Sequence, residues 1–72
     1  MDLTTQISDE LAREALDLVA KTGDDRIINQ LSEIMGASSQ SLQEGFMTMV
    51  RVRRAETLSR KILAEAQAQI AS

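Results

Sequence analysis

The chain has 72 residues, 43% of them hydrophobic and 26% charged, and carries a formal net charge of −3. It lacks Cys, His, Pro, Trp and Tyr, so disulfides, thiolate metal sites and catalysis by histidine or cysteine are excluded. A chain this short forms one domain at most, and its small core makes self-association a prediction from size alone.

The first helix is predicted over about residues 6–22. Ser8 is a candidate N-cap. Gly23 is expected to end the helix, because glycine adopts the left-handed conformation at little cost. Apolar residues at helical spacing predict the buried side of this helix. They are Leu3, Ile7, Leu11, Ala15 and Leu18, widened by Ala12 and Val19.

The second helix is predicted over about residues 25–35, with Gly36 as its C-terminal stop. Its apolar stripe is the cleanest in the chain and predicts a face that packs on the other helices. The stripe consists of Ile27, Ile28, Leu31, Ile34 and Met35. Polar residues fill the opposite side, as expected of a helix with one buried face.

The third segment is predicted over about residues 40–70, and no Gly or Pro follows Phe46 to end it. Ser41 with Glu44 fits a capping box, and starts at Ser38 or Ser39 are equally compatible. With successive residues about 100° apart around the helix, Leu42, Phe46, Met49 and Val50 form one apolar side in the first half. In the second half the same side carries the basic residues Arg53, Arg60 and Lys61. The later apolar residues, Ala55, Leu58, Ile62, Ala66 and Ile70, fall on about the opposite side.

Two folds are compatible with this shift. Either the helix is continuous, giving an all-α, small three-helix bundle with a long C-terminal helix, or it breaks near residues 51–54, giving four helices. The absence of a breaker favours the continuous helix and one all-helical domain over residues 1–72.

Residues 27–46 carry the positions of a helix-turn-helix, with a small residue, a turn glycine and bracketing apolar residues. Those positions are held by Leu31, Ser32, Met35, Gly36, Ala37, Leu42 and Phe46. The pattern resembles the helix-turn-helix shared by many bacterial and phage repressors, over about 20 of 72 residues. Two packed amphipathic helices joined by a glycine turn produce much the same pattern, so a plain corner of a bundle is the alternative.

The resemblance implies that the second helix of the motif would read the major groove of DNA. The residues implied to face the bases are Ser38, Ser39, Gln40 and Gln43. Those implied to contact phosphates are Arg51, Arg53 and Arg54.

Charge is distributed unevenly along the chain. Residues 1–36 carry eight acidic and three basic side chains, for a net charge of −5. Residues 37–72 carry three acidic and five basic ones, for a net charge of +2. The two halves are expected to attract each other, within one chain or between two, unless both are simply solvated faces.

The sequence therefore favours a non-enzymatic protein–protein interaction or oligomerisation module, with a protein partner or a second copy in a homodimer. The predicted contact residues are Leu58, Ile62, Leu63, Ala66 and Ile70. A helix-turn-helix DNA-binding regulator is the alternative. We expect no catalytic residues, cofactor, metal, small-molecule substrate or membrane partner. No signal-peptide pattern is present, which makes a cytoplasmic location the expectation.

Overall fold

The computed structural model describes residues 2–71, which form three α-helices and no strand. Helix α1 spans Leu3–Thr22, α2 spans Arg26–Ser38 and α3 spans Gln40–Ala71. The overall dimensions are 52 × 29 × 13 Å. A helix of 32 residues is about 48 Å long, so α3 alone accounts for the long axis. The prediction of a small all-α bundle with a long C-terminal helix is confirmed, and no break occurs at residues 51–54.

Helix α1 begins earlier than predicted. Asp2 is the N-cap, and its Oδ1 accepts a hydrogen bond of 2.8 Å from the backbone N–H of Thr5. This bond lowers the pKa of the Asp2 carboxyl from its ordinary value. The expectation of a cap at Ser8 is wrong, because Ser8 lies inside the helix and is fully buried. The predicted end is confirmed: Gly23 has φ of 72° and donates its N–H to the carbonyl of Val19.

Helix α2 passes through its predicted stop. Gly36 is helical, and the helix ends two residues later, where Ser39 takes an extended conformation and donates its N–H to Met35 O. A Cβ at position 36 would lie 2.5 Å from Nε2 of Gln43. The glycine therefore makes room for a side chain of α3 and does not terminate the helix.

Helix α3 begins at Gln40, one residue before the predicted capping box. Oγ of Ser39 accepts a hydrogen bond of 3.2 Å from the backbone N–H of Leu42, so Ser39 rather than Ser41 supplies the cap. The single residue Ser39 joins α2 to α3. A helix-turn-helix typically has a turn of about three or four residues, so this corner is tighter.

The core lies where α1 and α2 cover the first part of α3. Along α1 from Ser8 to Ala20, the neighbouring residues on α3 advance from Gly45 to Leu58, so these helices run parallel. Helix α2 connects the end of α1 to the start of α3 and runs in the opposite direction. The buried apolar residues are Ala12, Ala15, Ile28, Met35, Phe46 and Val50.

The buried side of α1 is rotated from the predicted one. Leu3 and Leu18 are exposed, whereas Ser8, Ala12 and Ala15 are buried. These small residues let the backbone of α3 approach closely: a Cβ added to Gly45 would lie 2.5 Å from Oγ of Ser8. The close approach decides which side of α1 is covered, and the larger apolar residues are left at its edge.

A smaller correction applies to α2. Its buried centre lies at Ile28 and Met35, which are seven residues apart and therefore nearly aligned on a helix. Ile34 falls at the edge of this side and is exposed, contrary to the prediction from the apolar stripe.

Candidate interaction surface

The second half of α3 projects beyond the rest of the bundle. Every residue from 57 to 71 is exposed, and we call this stretch the projecting segment. Its 15 residues correspond to about 22 Å of helix. The last buried residue of α3 is Val50, and residues 53 and 56 are the last partly buried ones. The helix therefore continues for about four turns in which α1 and α2 bury no residue.

The projecting segment carries a row of apolar residues spaced four apart, which we call the apolar row. It consists of Leu58, Ile62, Ala66 and Ile70, and Leu63 lies beside it. Leu58 is 63% exposed, Ile62 65% and Ile70 87%. At about 100° per residue, the row lies roughly opposite to the side of α3 that buries Phe46 and Val50. All five predicted contact residues thus share one uncovered region of the helix.

An apolar groove of about 420 Å³ lies at the base of the projecting segment. One wall comes from α1 and the other from α3. The lining residues are Leu16, Val19 and Ala20 of α1, and Arg53, Arg54, Thr57 and Leu58 of α3. Leu58 belongs both to the groove and to the apolar row, so the two surfaces are continuous. Sequence reasoning missed the groove, because it assigned Val19 to the core and could not place Leu16 beside α3.

One ion pair ties α1 to α3 just before the projecting segment begins. The guanidinium of Arg53 donates to the carboxylate of Asp9, with Nη2–Oδ1 of 2.9 Å, Nη2–Oδ2 of 3.1 Å and Nε–Oδ1 of 3.2 Å. Both side chains are partly buried, and Glu56 lies 3.5 Å from Arg53 Nη1. These carboxylates, Asp9 first, raise the pKa of Arg53 above its ordinary value. The pair joins the first half of α1 to the middle of α3.

The Asp9–Arg53 pair is also the only ion pair in the described residues that joins the acidic and basic halves of the chain. The remaining pairs are local, such as Lys21 with Asp17 and Arg60 with Glu56. Within residues 2–71 the opposite charges of the two halves therefore meet in a single contact between them.

The residues implied to contact DNA bases lie at the corner between α2 and α3. Ser38 and Gln40 are exposed, and Ser39 caps α3. Gln43 Nε2 donates to Ser32, with 2.9 Å to the carbonyl oxygen and 3.3 Å to Oγ. Glutamine is the residue type here that can read adenine, and Gln43 is thus bonded across the corner. Nε2 of the other glutamine, Gln40, donates to Oε1 of Glu44 over 3.3 Å.

The implied phosphate contacts are divided in the same way. Arg51 and Arg54 are exposed, whereas Arg53 is held by Asp9 and Glu56. Gln40, Gln43 and the three arginines lie on α3, whereas Ser38 belongs to α2 and Ser39 joins the two helices. Four of the seven implied side chains, those of Ser39, Gln40, Gln43 and Arg53, are bonded within the chain.

Residues 2–71 contain neither a cluster of metal-ligand side chains nor a membrane-spanning helix. No group of three or more acidic side chains there is placed to hold a metal ion. None of the helices combines the length and the apolar content needed to cross a lipid bilayer.

Comparisons of this chain with protein-family models, with curated proteins and with solved structures find no match.

Proposed function

We propose that this chain is a non-enzymatic protein–protein interaction module that associates through the C-terminal half of α3. A second copy of the chain, in a homodimer, is the preferred partner, and a helix of another protein is the alternative. One observation carries the proposal: the projecting segment exposes the apolar row on a side that neither α1 nor α2 covers.

Physical chemistry supports a covered state for this surface. Burying a Leu or Ile side chain stabilises by about 1.5–3 kcal/mol relative to leaving it in water. Most helical stability in proteins comes from packing of an apolar face rather than from helix propensity. The projecting segment continues a packed helix but has no packed face of its own. Contact with a partner would supply the missing stabilisation.

The DNA-binding alternative has less support. It relies on Gln43 and Arg53 among other residues, and both are bonded to groups of the same chain. The exposed arginines, Arg51 and Arg54, are as compatible with an acidic protein surface as with phosphates. No contact in the described residues favours DNA over a protein partner.

The test compares two aspartate substitutions on the projecting segment. Ile62→Asp places a charge in the middle of the apolar row, and Ala64→Asp places one on the opposite, exposed side as the matched control. Sedimentation velocity over a concentration series is expected to show a dimer for the wild type and Ala64→Asp, and a monomer for Ile62→Asp. Circular dichroism should show a folded bundle in all three, because residue 62 lies outside the core.

Two outcomes would count against this function. A wild-type chain that stays monomeric up to about 1 mM would refute the homodimer, since this corresponds to less than about 4 kcal/mol of association free energy. Binding to duplex DNA that weakens steeply with salt, and that Ile62→Asp leaves unchanged, would favour the regulator instead.

A further inference from the structure

The geometry points to one arrangement of the homodimer, and this inference rests on the proposed function. We propose that the projecting segments of two copies pack antiparallel about a twofold axis at the level of Ala64. In this arrangement the end of each segment lies at the level of the apolar groove of the other copy.

Side-chain sizes along the apolar row support this register. A twofold axis at the level of residue 64 places Ile62 of one copy opposite Ala66 of the other. It places Leu58 at the same level along the axis as Ile70. Near the axis, the large Ile62 of each copy then faces the small Ala66 of the other, and this alternation allows close packing. In a parallel pair, Ala66 would face Ala66 and leave a gap.

Charge on the flank of the row supports the same orientation. Lys61 and Glu65 lie beside each other on one flank, at about 100° per residue, and neither makes an ion pair within the described chain. In an antiparallel pair with a perpendicular twofold axis, equivalent flanks meet. Lys61 of each copy then lies two residues, or about 3 Å along the axis, from Glu65 of the other. Two symmetric ion pairs follow.

The parallel arrangement has an electrostatic cost upstream of the projecting segment. Continued toward its N-terminus, the row side of α3 carries Arg51 and Glu44, both exposed. In a parallel pair in register, Arg51 would face Arg51 of the other copy and Glu44 would face Glu44. Like charges directly opposite each other are unfavourable. Antiparallel segments overlap only over about residues 57–71, so Arg51 and Glu44 stay outside the contact.

The area needed by a stable dimer explains the role of the groove. The segment has four large apolar side chains, those of Leu58, Ile62, Leu63 and Ile70. Burial of each is worth about 1.5–3 kcal/mol, which at about 25 cal/mol per Å² corresponds to on the order of 240–480 Å² of apolar area for all four. A standard interface buries about 800 Å² per partner. Ile70 of the second copy lies at the level of Leu58, and therefore at the level of the groove that Leu58, Leu16 and Val19 line. The groove is the adjacent apolar surface that would add to the area covered by the segment.

The orientation is tested by electron–electron distances between spin labels. The chain has no cysteine, so Ala64→Cys and Ala71→Cys each carry a single label, and both positions face away from the apolar row. In the antiparallel dimer the two labels at position 64 lie at the same level. Those at position 71 are about 21 Å apart along the axis. We expect the distance at position 71 to exceed that at position 64 by on the order of 10 Å.

A second test isolates the ion pair between copies. Lys61→Glu and Glu65→Lys each place like charges across the antiparallel contact, whereas a one-to-one mixture of the two restores both pairs in a heterodimer. We expect the mixture to associate roughly 2- to 30-fold more tightly than either variant alone. Charge interactions within each helix are the same in the separate variants and in the mixture, so they cannot produce this difference.

The results separate this inference from the proposed function. Equal distances at positions 64 and 71 in a dimer that Ile62→Asp dissociates would overturn the antiparallel arrangement and leave the interaction module standing. A mixture no tighter than its components would overturn the arrangement in the same way. A wild-type monomer at about 1 mM would overturn both.

Discussion

The close approach of α1 and α3 at Ser8 and Gly45 leads to a prediction about stability. Alanine in a helix is more favourable than glycine by about 1 kcal/mol, so Gly45→Ala at an exposed position would stabilise the chain. Here the added Cβ would lie 2.5 Å from Oγ of Ser8 and 3.3 Å from its Cβ. Overpacking of this kind costs about 1–3 kcal/mol. We therefore expect Gly45→Ala to lower the free energy of unfolding by about 1 kcal/mol.

Ser8 provides the matched partner for a double-mutant cycle. Its Oγ is buried and has no hydrogen-bond partner among the described residues. An unsatisfied buried polar group costs about 1–3 kcal/mol, so Ser8→Ala is expected to raise stability by about 1 kcal/mol. With the hydroxyl gone, only the contact of 3.3 Å between Cβ atoms opposes Gly45→Ala. The helix preference for alanine should then dominate, and the glycine substitution should become neutral or stabilising.

The assay is urea unfolding followed by circular dichroism for the wild type, the two single variants and the double variant. All four are measured in the Ile62→Asp background at one protein concentration, so that association does not contribute. We expect a coupling energy of about 1 kcal/mol or more between positions 8 and 45. Equal effects of Gly45→Ala in both Ser8 backgrounds would refute the reasoning from the close approach.

Gly23→Ala should lower the free energy of unfolding by about 1–2 kcal/mol in the same assay, because φ is 72° there and a residue with a Cβ adopts this conformation at a cost. No atom lies within 4 Å of the added Cβ, so the cost is conformational only, and unchanged stability would contradict this. Asp9→Asn should lower the melting temperature more than a similar change at an exposed local pair, since it weakens the hold on Arg53. Finally, the pKa of Asp2 is lowered by its hydrogen bond from Thr5, so the folded state resists protonation of this carboxyl. The resulting stability is present above the ordinary value of 3.8 and is lost as pH falls through the lowered folded value. Asp2→Asn keeps a capping side chain and should flatten this acid limb in unfolding curves measured from pH 2 to 7.

The helical fold could be predicted because its signals are local. Gly23 ends α1 through its own backbone conformation, and the lack of any Gly or Pro after Phe46 keeps α3 continuous. Local signals also explain why the predicted contact residues are exposed together: Leu58, Ile62 and Ile70 follow from spacing along one uninterrupted helix. The change of apolar side along α3 was readable because helical periodicity is constant when nothing interrupts it.

Predictions of helix termini from local sequence were wrong where contacts between helices outweighed the local preferences of a residue. Gly36 looks like a stop, yet it stays helical because its missing side chain accommodates Gln43. Ser8 looks like a cap, yet it is buried because a small residue is needed opposite Gly45. A glycine or serine has the same local preferences in either role. Only the position of the neighbouring helix distinguishes a terminus from a close approach.

The sequence by itself thus determined that the chain is helical and that α1 ends at Gly23. It also determined that the apolar side of the second half of α3 is nearly opposite to that of the first half. Tertiary structure decided which side of α1 is covered, that Arg53 bonds to Asp9, and that a groove opens beside Leu58. The physical reason is the range of the interactions. Helix formation depends on residues up to four apart, whereas the covered side depends on how closely two backbones approach. In this chain small residues at the contact set that distance, and they contribute little to a hydropathy pattern.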